Sequence, residues 1–234
     1  MNELERDILK NTYKTTAGSV RLDGYMADDL SVVNSARVSF GKRSEEITDA
    51  DRALINFLMR ERHGTPFEHN SFRFHIQCPI FVAREWFRHR IGSFNEFSGR
   101  YAEFNPVGYL PEVEEMRTQV GKPGSYTFEP IDKQIAEKAI VEIYEVYADT
   151  FEAYRKLLDA GVAKEVARIV LPVGVMTEFY WTVNARSLMN FISLRNALAA
   201  QYEIRTLAFG VEALFSQIMP VTYEAFICNN RIAP

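Results

Sequence analysis

"FEHNSFRFHIQCPIFVAREWFRHR", residues 67–90, changes its period half-way along, and the fold is read outward from that change. In its first part Phe72, Phe74, Ile76 and Cys78 alternate with His69, Ser71, Arg73, His75 and Gln77. Successive strand side chains point to opposite faces, so this pattern predicts a strand buried on one side and polar on the other. Pro79 then opens a helix, at a position where its missing N–H has no intrahelical partner to lose. The helix is expected over 79–91, with Arg84 and Arg88 one turn apart and Arg90 turned about 160° from Arg88. His69 and His75 would lie roughly 20 Å apart along the strand, too far to share an ion, so no metal site is expected.

Upstream, 18–27 reads as a strand closed by a turn. A helix follows, capped by Asp28 or Asp29, and then another over 48–61 with Thr48 as cap and Asp51 at its third position. Downstream, Gly92 and Gly99 bound a loop, and the Pro- and Gly-rich 106–127 stretch reads as an exposed, mobile excursion. Helical spacing returns over 129–160, briefly in "AKEVARIVL" up to Pro172, from about Arg186, and in a long helix over about 195–218. Strands on this reading are few and early, and helices dominate the second half. The expected fold class is α/β or α+β, one sheet with a helical lobe, in a single domain over 1–234.

The 234 residues carry 31 acidic and 27 basic side chains, a net charge of -4, which disfavours a nucleic-acid coat. The opening "MNELERDILK" is charged and has no apolar signal region, no long apolar run suggests a membrane span, and two cysteines fit a reducing compartment. A cytoplasmic protein is expected, with neither nucleic acid nor membrane as partner.

Positive charge is nevertheless concentrated locally. "RHRIGSFNEFSGR", residues 88–100, holds Arg88, Arg90 and Arg100 beside Arg84, and Glu85 and Glu96 are too few to neutralise them. Arginine grips phosphate or carboxylate with two parallel N–H donors, so a small anionic ligand is the expected occupant. Ser93 and Ser98 lie in the same stretch, but G-x-S-x-G is missing and no base–carboxylate pair accompanies them, so both are read as hydrogen bonders. His63 and Thr65, in a Pro-containing turn, are read the same way. Arg168 interrupts an otherwise apolar pattern, with Glu165 as its nearest partner. Asn184, Arg186, Asn190 and Arg195 form a second polar series; Arg186 and Asn190 share a helix face suited to a flat ring with polar edges. Neither glycine-rich phosphate motif occurs.

These residues resemble the flavin-dependent thymidylate synthases. Residues 88–100 fill every fixed position of that family's signature: Arg-His-Arg, two variable residues, Ser, one variable, Asn-Glu, one variable, Ser, one variable, Arg. "TPFEH", "PIFVAREWFRHR", "EVARIVLP" and "WTVNARSLMNF" are also similar to family segments, so the resemblance covers about 18–227. It implies a small, mostly antiparallel sheet packed with long helices, and a homotetramer with active sites at subunit interfaces. The implied reaction is reductive methylation of dUMP to dTMP, with 5,10-methylenetetrahydrofolate as carbon donor and NADPH as reductant through FAD. By position, His63, Thr65, Glu68, Arg88, His89, Arg90, Glu96, Asn184, Arg186 and Asn190 would hold the flavin. Arg84, Glu85, Ser98, Gly99, Arg100, Arg168 and Arg195 would meet the nucleotide, with Arg195 as the catalytic group at the pyrimidine. Two positions depart from the family pattern: Glu85 stands where glutamine is frequent, and is expected to turn toward Arg84 or Arg88 or to be protonated, while Ala199 replaces a histidine near the flavin. The competing readings are a cysteine-dependent synthase using Cys78 and a non-catalytic nucleotide- or RNA-binding protein stacking bases on Tyr101 or Phe94.

Overall fold

The computed structural model describes residues 8, 9 and 11–234; the charged opening stretch (1–7 and 10) lies outside them. Strand β3 (Ser71–Pro79) is the centre of a five-stranded sheet in the order β1-β2-β3-β7-β4, with every neighbouring pair antiparallel. The other strands of this sheet are β1 (Thr12–Thr15), β2 (Gly18–Met26), β4 (Ser93–Glu96) and β7 (Met176–Asn184). Phe72, Phe74, Ile76 and Cys78 of β3 are buried, as the alternation requires, and join Val20, Leu22, Phe179, Trp181 and Val183 on one face. Phe74 sits between Leu22 on one side and Trp181 on the other. The opposite face carries His75, Gln77, Glu178 and Tyr180, and His75 meets Glu178 at 3.3 Å.

The helices are α1 (Asp29–Arg37), α2 (Asp49–Arg60), α3 (Thr65–Glu68), α4 (Ile80–Trp86), α5 (Lys133–Asp159), α6 (Lys164–Ala167), α7 (Ala185–Arg195), α8 (Tyr202–Ile218) and α9 (Pro220–Cys228). Helix α8 packs on β1, β2, α4, α7 and α9. Its Ile204, Leu207, Val211 and Leu214 enter the core as the 3.6-residue spacing predicts. The cap of α2 is as read from sequence: the Thr48 hydroxyl accepts from the Asp51 amide and the Asp51 carboxylate accepts from the Thr48 amide. Among the described residues no helix is long and apolar enough to cross a membrane.

Several expected boundaries move. The helix opened by Pro79 ends at Trp86, not 91, and Pro79 itself closes β3 while capping α4. The supposed loop between Gly92 and Gly99 contains β4, whose Phe94 stacks on Trp181 across the sheet. His69 follows α3 and is not part of a strand, so the strand-rise separation from His75 does not apply. The aromatic run 176–184 is a nine-residue strand in the second half of the chain, against the expectation that strands are early. The long terminal helix begins at Tyr202, because 196–201 form turns after α7 closes at Asn196. The 106–127 excursion leads into a hairpin, β5 (Arg117–Lys122) paired with β6 (Ser125–Pro130).

A buried carboxylate joins two segments far apart in the chain, α1 and α9. Asp29, 7% exposed, accepts from the amides of Val221 (3.0 Å) and Thr222 (2.8 Å) and from the Thr222 hydroxyl (2.6 Å), which caps α9. Removing it strands two buried N–H groups and a hydroxyl, so Asp29→Ala is expected to destabilise the protein by about 2–4 kcal/mol. Urea unfolding measures this; a loss below about 0.5 kcal/mol, the scale of a neutral surface change, would contradict it.

Candidate active site

A cleft of about 570 Å³ opens between α7 and the turn that follows α4, lined by Glu68, Arg88, His89, Arg90, Ile91, Arg186, Ser187, Asn190, Leu194, Arg195, Ala233 and Pro234. Two local choices of the chain create it. After Trp86 the backbone leaves the helix, with the His89 amide bonded to the Trp86 carbonyl at 3.0 Å. This turn brings Arg88 and Arg90 to the same cleft, whereas a regular helix would point them apart. On the facing wall Asn184 caps α7 by accepting from the Ser187 amide at 2.8 Å, which starts the helix so that Arg186 and Asn190 share the cleft-facing side.

Four guanidiniums thus line one cleft, and they differ in how they are held. Arg186 donates from Nη1 to Glu68 Oε1 at 2.6 Å and from Nε to the Pro234 main-chain oxygen at 2.7 Å. Gly64 lies against it: a Cβ there would come within 2.4 Å of Arg186 Nε, so the His63–Thr65 turn needs glycine to approach this closely. Arg195 is gripped by the turn opposite, donating from Nη1 to Glu85 Oε2 at 2.7 Å, from Nη2 to the Glu85 carbonyl at 3.1 Å and from Nε to His89 Nε2 at 2.9 Å. Glu85 therefore turns to Arg195 and not to Arg84 or Arg88, since Arg195 alone reaches both its carboxylate and its carbonyl. Among the described residues the guanidiniums of Arg84, Arg88 and Arg90 meet neither a hydrogen-bond partner nor a carboxylate.

His89 accepts from a cation, so its ring is neutral with the proton on Nδ1. Burial, and then the Arg195 charge, push its pKa down to about 4. Phe191 meets the ring edge-on at 4.9 Å and itself packs on Trp86 and Trp181, which seats the imidazole on the core.

The remaining candidates lie elsewhere. Ser98, Gly99, Arg100 and Arg168 gather beyond β4: Arg100 Nε meets Glu165 Oε2 at 3.2 Å, and Arg168 Nε donates to the Glu165 carbonyl at 3.3 Å. Gly99 is buried, and a Cβ on it would come within 2.3 Å of the Phe104 ring and 3.2 Å of Arg168 Cδ. Arg168 is exposed and its neighbours Val166 and Ile169 are 49% and 77% exposed, so the pattern it interrupts is a surface and its charge needs no buried partner. Glu96 accepts from the Thr177 hydroxyl at 2.8 Å, away from the cleft. His63 stacks on Phe57 at 5.8 Å between ring centres, and neither His63 nor Thr65 lines the cleft, though both flank the glycine that touches Arg186. Ala199 is exposed in the turn between α7 and α8. Ala233 and Pro234, by contrast, line the cleft without any sequence signal: "NNRIAP" has no periodicity, and only the topology carries it there. No group of three or more His, Cys, Asp or Glu among the described residues is placed to hold a metal ion.

Comparison with known proteins decides what this cleft belongs to. Residues 21–221 match the family described as thymidylate synthase complementing protein. The flavin-dependent thymidylate synthase of Thermosipho melanesiensis is 47% identical over 91% of this chain and 92% of its own. The chain belongs to the flavin-dependent thymidylate synthases. The Streptomyces avermitilis flavin-dependent thymidylate synthase is 44% identical over the full length of both chains. Among solved structures, the UMP/dUMP methylase PolB from Streptomyces cacaoi, bound with 5-Br UMP, superposes with a TM-score of 0.85 at 41% identity, over 92% of this chain and 96% of its own. Membership of this family disfavours the reading of a non-catalytic nucleotide- or RNA-binding protein, and the arginine-lined cleft falls within the matched residues apart from its last two.

The depressed His89 pKa gives a pH dependence. A histidine that is neutral in the fold but protonated in the unfolded chain below about 6.5 contributes stability above that pH, and the contribution is lost as pH falls toward 4. A ring-proton NMR titration is expected to place the His89 midpoint near 4, and Arg195→Ala should raise it. A midpoint near the ordinary 6.5 in the intact protein would contradict the cation–imidazole contact.

Proposed function

We propose that the chain catalyses the reductive methylation of dUMP to dTMP, taking the carbon from 5,10-methylenetetrahydrofolate and the reducing equivalents from NADPH through FAD. The observation that carries this reading is the cleft itself. The Arg88 and Arg90 guanidiniums line it without partners among the described residues, and Arg186 and Arg195 add two further guanidiniums held rigidly by their own chain. The residues fit a flavin dinucleotide: free guanidiniums for its phosphates, Asn190 and Ser187 for polar ring edges, and Ile91, Leu194 and Pro234 for the ring faces. Arg88, Arg90, Arg186 and Asn190 would hold the cofactor, which supplies the redox chemistry between NADPH and the pyrimidine.

What this chain's residues add is orientation and charge. Glu85 and His89 fix Arg195 from two sides, so its guanidinium needs no rearrangement when negative charge develops on the uracil ring. Such a preorganised donor acts as an oxyanion hole does. Each Nη of Arg195 retains a second N–H beyond the contacts to Glu85. Neutral His89 holds Arg195 without competing for its negative partner.

Cys78 has no part in this chemistry. It is fully buried, and burial, followed by the Glu96 charge, pushes its thiol well above the ordinary range. The test is dTMP formation from dUMP with methylenetetrahydrofolate and NADPH by the purified, flavin-loaded protein. Arg195→Ala is expected to keep the fold and lose about 10²-fold or more in kcat, the scale of removing one preorganised donor. Cys78→Ala should retain turnover. Full activity in the first variant would remove Arg195 from the catalytic role, and a dead but folded Cys78→Ala would point to a cysteine nucleophile.

The residues expected to meet the nucleotide, Ser98, Gly99, Arg100 and Arg168, lie apart from the cleft within one chain. We infer that the protein is a homotetramer in which one subunit's Ser98–Arg100 surface completes its neighbour's cleft. The exposed apolar side chains beside both clusters support this: Ile91 and Leu194 at the cleft, Tyr101 and Ile169 at the other group. Complementation tests it. Arg88→Ala and Arg100→Ala should each be inactive alone, and refolding them together should recover activity because some sites then contain both native arginines. Mixed oligomers without any recovery would place the two residues in one subunit's site.

A further inference from the structure

We propose that Glu212 is a positioning residue for the cleft, acting on the end of α7 and on the segment 229–234; the proposal rests on the reading that the cleft holds FAD. Glu212, on α8, is only 5% exposed. A carboxylate at that depth needs donors, and it has three: the side-chain amide of Asn196, the Tyr223 hydroxyl at 3.0 Å and Arg231 Nη2 at 2.5 Å. These donors come from different parts of the chain. Asn196 directly follows Arg195, and its main-chain amide closes α7 on the Ile192 carbonyl at 3.0 Å.

Arg231 belongs to the segment that returns after α9. Asn230 and Arg231 both adopt left-handed backbone, with φ of 59° and 58°, a conformation that costs energy for any residue with a Cβ. The reversal is held by the Arg231 amide on the Phe226 carbonyl at 2.9 Å, by the guanidinium over the Phe226 ring at 5.7 Å, and by the Ser193 hydroxyl donating to the Arg231 carbonyl. Its result is that Ala233 and Pro234 line the cleft and the Pro234 oxygen accepts from Arg186 Nε. Glu68 takes Nη1 of the same guanidinium, and the remaining N–H groups of Arg186 meet no partner among the described residues. One buried carboxylate therefore anchors the residue beside Arg195 and the strap that orients Arg186.

A plain stabilising ion pair makes a different prediction: its loss lowers the melting temperature and leaves the affinity of the folded protein unchanged. The experiment compares the parent, a chain ending at Ile232, Arg231→Ala and Arg231→Lys. FAD affinity of each flavin-free protein is measured by fluorescence titration, and its melting temperature is measured without FAD. The shortened chain keeps the Glu212–Arg231 pair and is expected to melt within about 2 °C of the parent. Its FAD affinity should fall roughly tenfold, the scale of one lost hydrogen bond to a charged group. Arg231→Ala should lose the same affinity and also melt lower, and Arg231→Lys should recover part of both. Affinities within twofold of the parent in the shortened chain overturn the proposal even if Arg231→Ala fails to fold. A parent that binds no FAD overturns the cofactor reading, and this inference with it.

Discussion

The pairing of β3 with β7 is the constraint on which the site depends. Their nine-residue register sets Ser71 opposite Asn184 and Pro79 opposite Met176, so the two strands finish at opposite ends of the sheet. Each strand runs directly into a helix, α4 or α7, and the turn that follows α4 faces α7 across the cleft. A slip of one residue would turn Phe72, Phe74 and Ile76 outward and bring Arg73 and His75 into the core, exchanging apolar burial for unpaired charge. The register that buries the aromatics is thus the register that brings Arg88 and Arg90 before Arg186 and Arg195. Trp86, Trp181 and Phe191 seal the contact beneath the cleft, with ring centres 4.6–5.5 Å apart.

Electrostatics divides the arginines into fixed and free. Arg186 and Arg195 are each clamped by a carboxylate of the same chain, while the Arg88 and Arg90 guanidiniums line the cleft without a partner among the described residues. A net charge of -4 does not conflict with an anion site, because the field inside a cleft is set by nearby groups and more distant surface charges are screened by salt. The neutral state of His89 matters here as well. A protonated imidazole facing Arg195 would repel it, so the same contact that lowers the histidine pKa allows the guanidinium to be held on two sides.

Much of this was legible in residues 67–90 and 88–100. The period-two run gave the central strand and its buried face, the capping residues gave the helix starts at Asp28 and Thr48, and the arginine cluster pointed to an anionic ligand. What failed has physical causes. Helix periodicity continued past Trp86 in the sequence, but β4 has to return to pair with β7, so the helix stops and Arg88 and Arg90 converge. The strand 176–184 was hidden because it is mostly aromatic or β-branched on both faces, and Tyr180 remains 41% exposed on the uncovered side. The partner of Glu85 was unreadable because Arg195 lies 110 residues away. Contacts made by closing the chain on itself have no local signature, and the strap at 229–234 is the clearest instance.

Four buried carboxylates accompany the apolar core among the described residues; Asp51 serves its own neighbourhood, and the other three tie together segments far apart in sequence. Asp29 caps α9 across |i−j| of 192 and 193, Glu203 receives Arg117 of the hairpin and the Tyr109 hydroxyl, and Glu212 receives Asn196, Tyr223 and Arg231. Apolar stripes alone leave a helix layer free to slide, because methyl groups pack almost equally well after a small shift. A carboxylate surrounded by directional donors does not tolerate that shift, since moving by one turn leaves a buried charge unpaired. Two of the three lie on α8, the helix packed against β1, β2, α4 and α7. Hydrophobic burial supplies the driving force for that layer, and these polar contacts select the one arrangement in which Arg195, at the end of α7, meets Glu85 and His89.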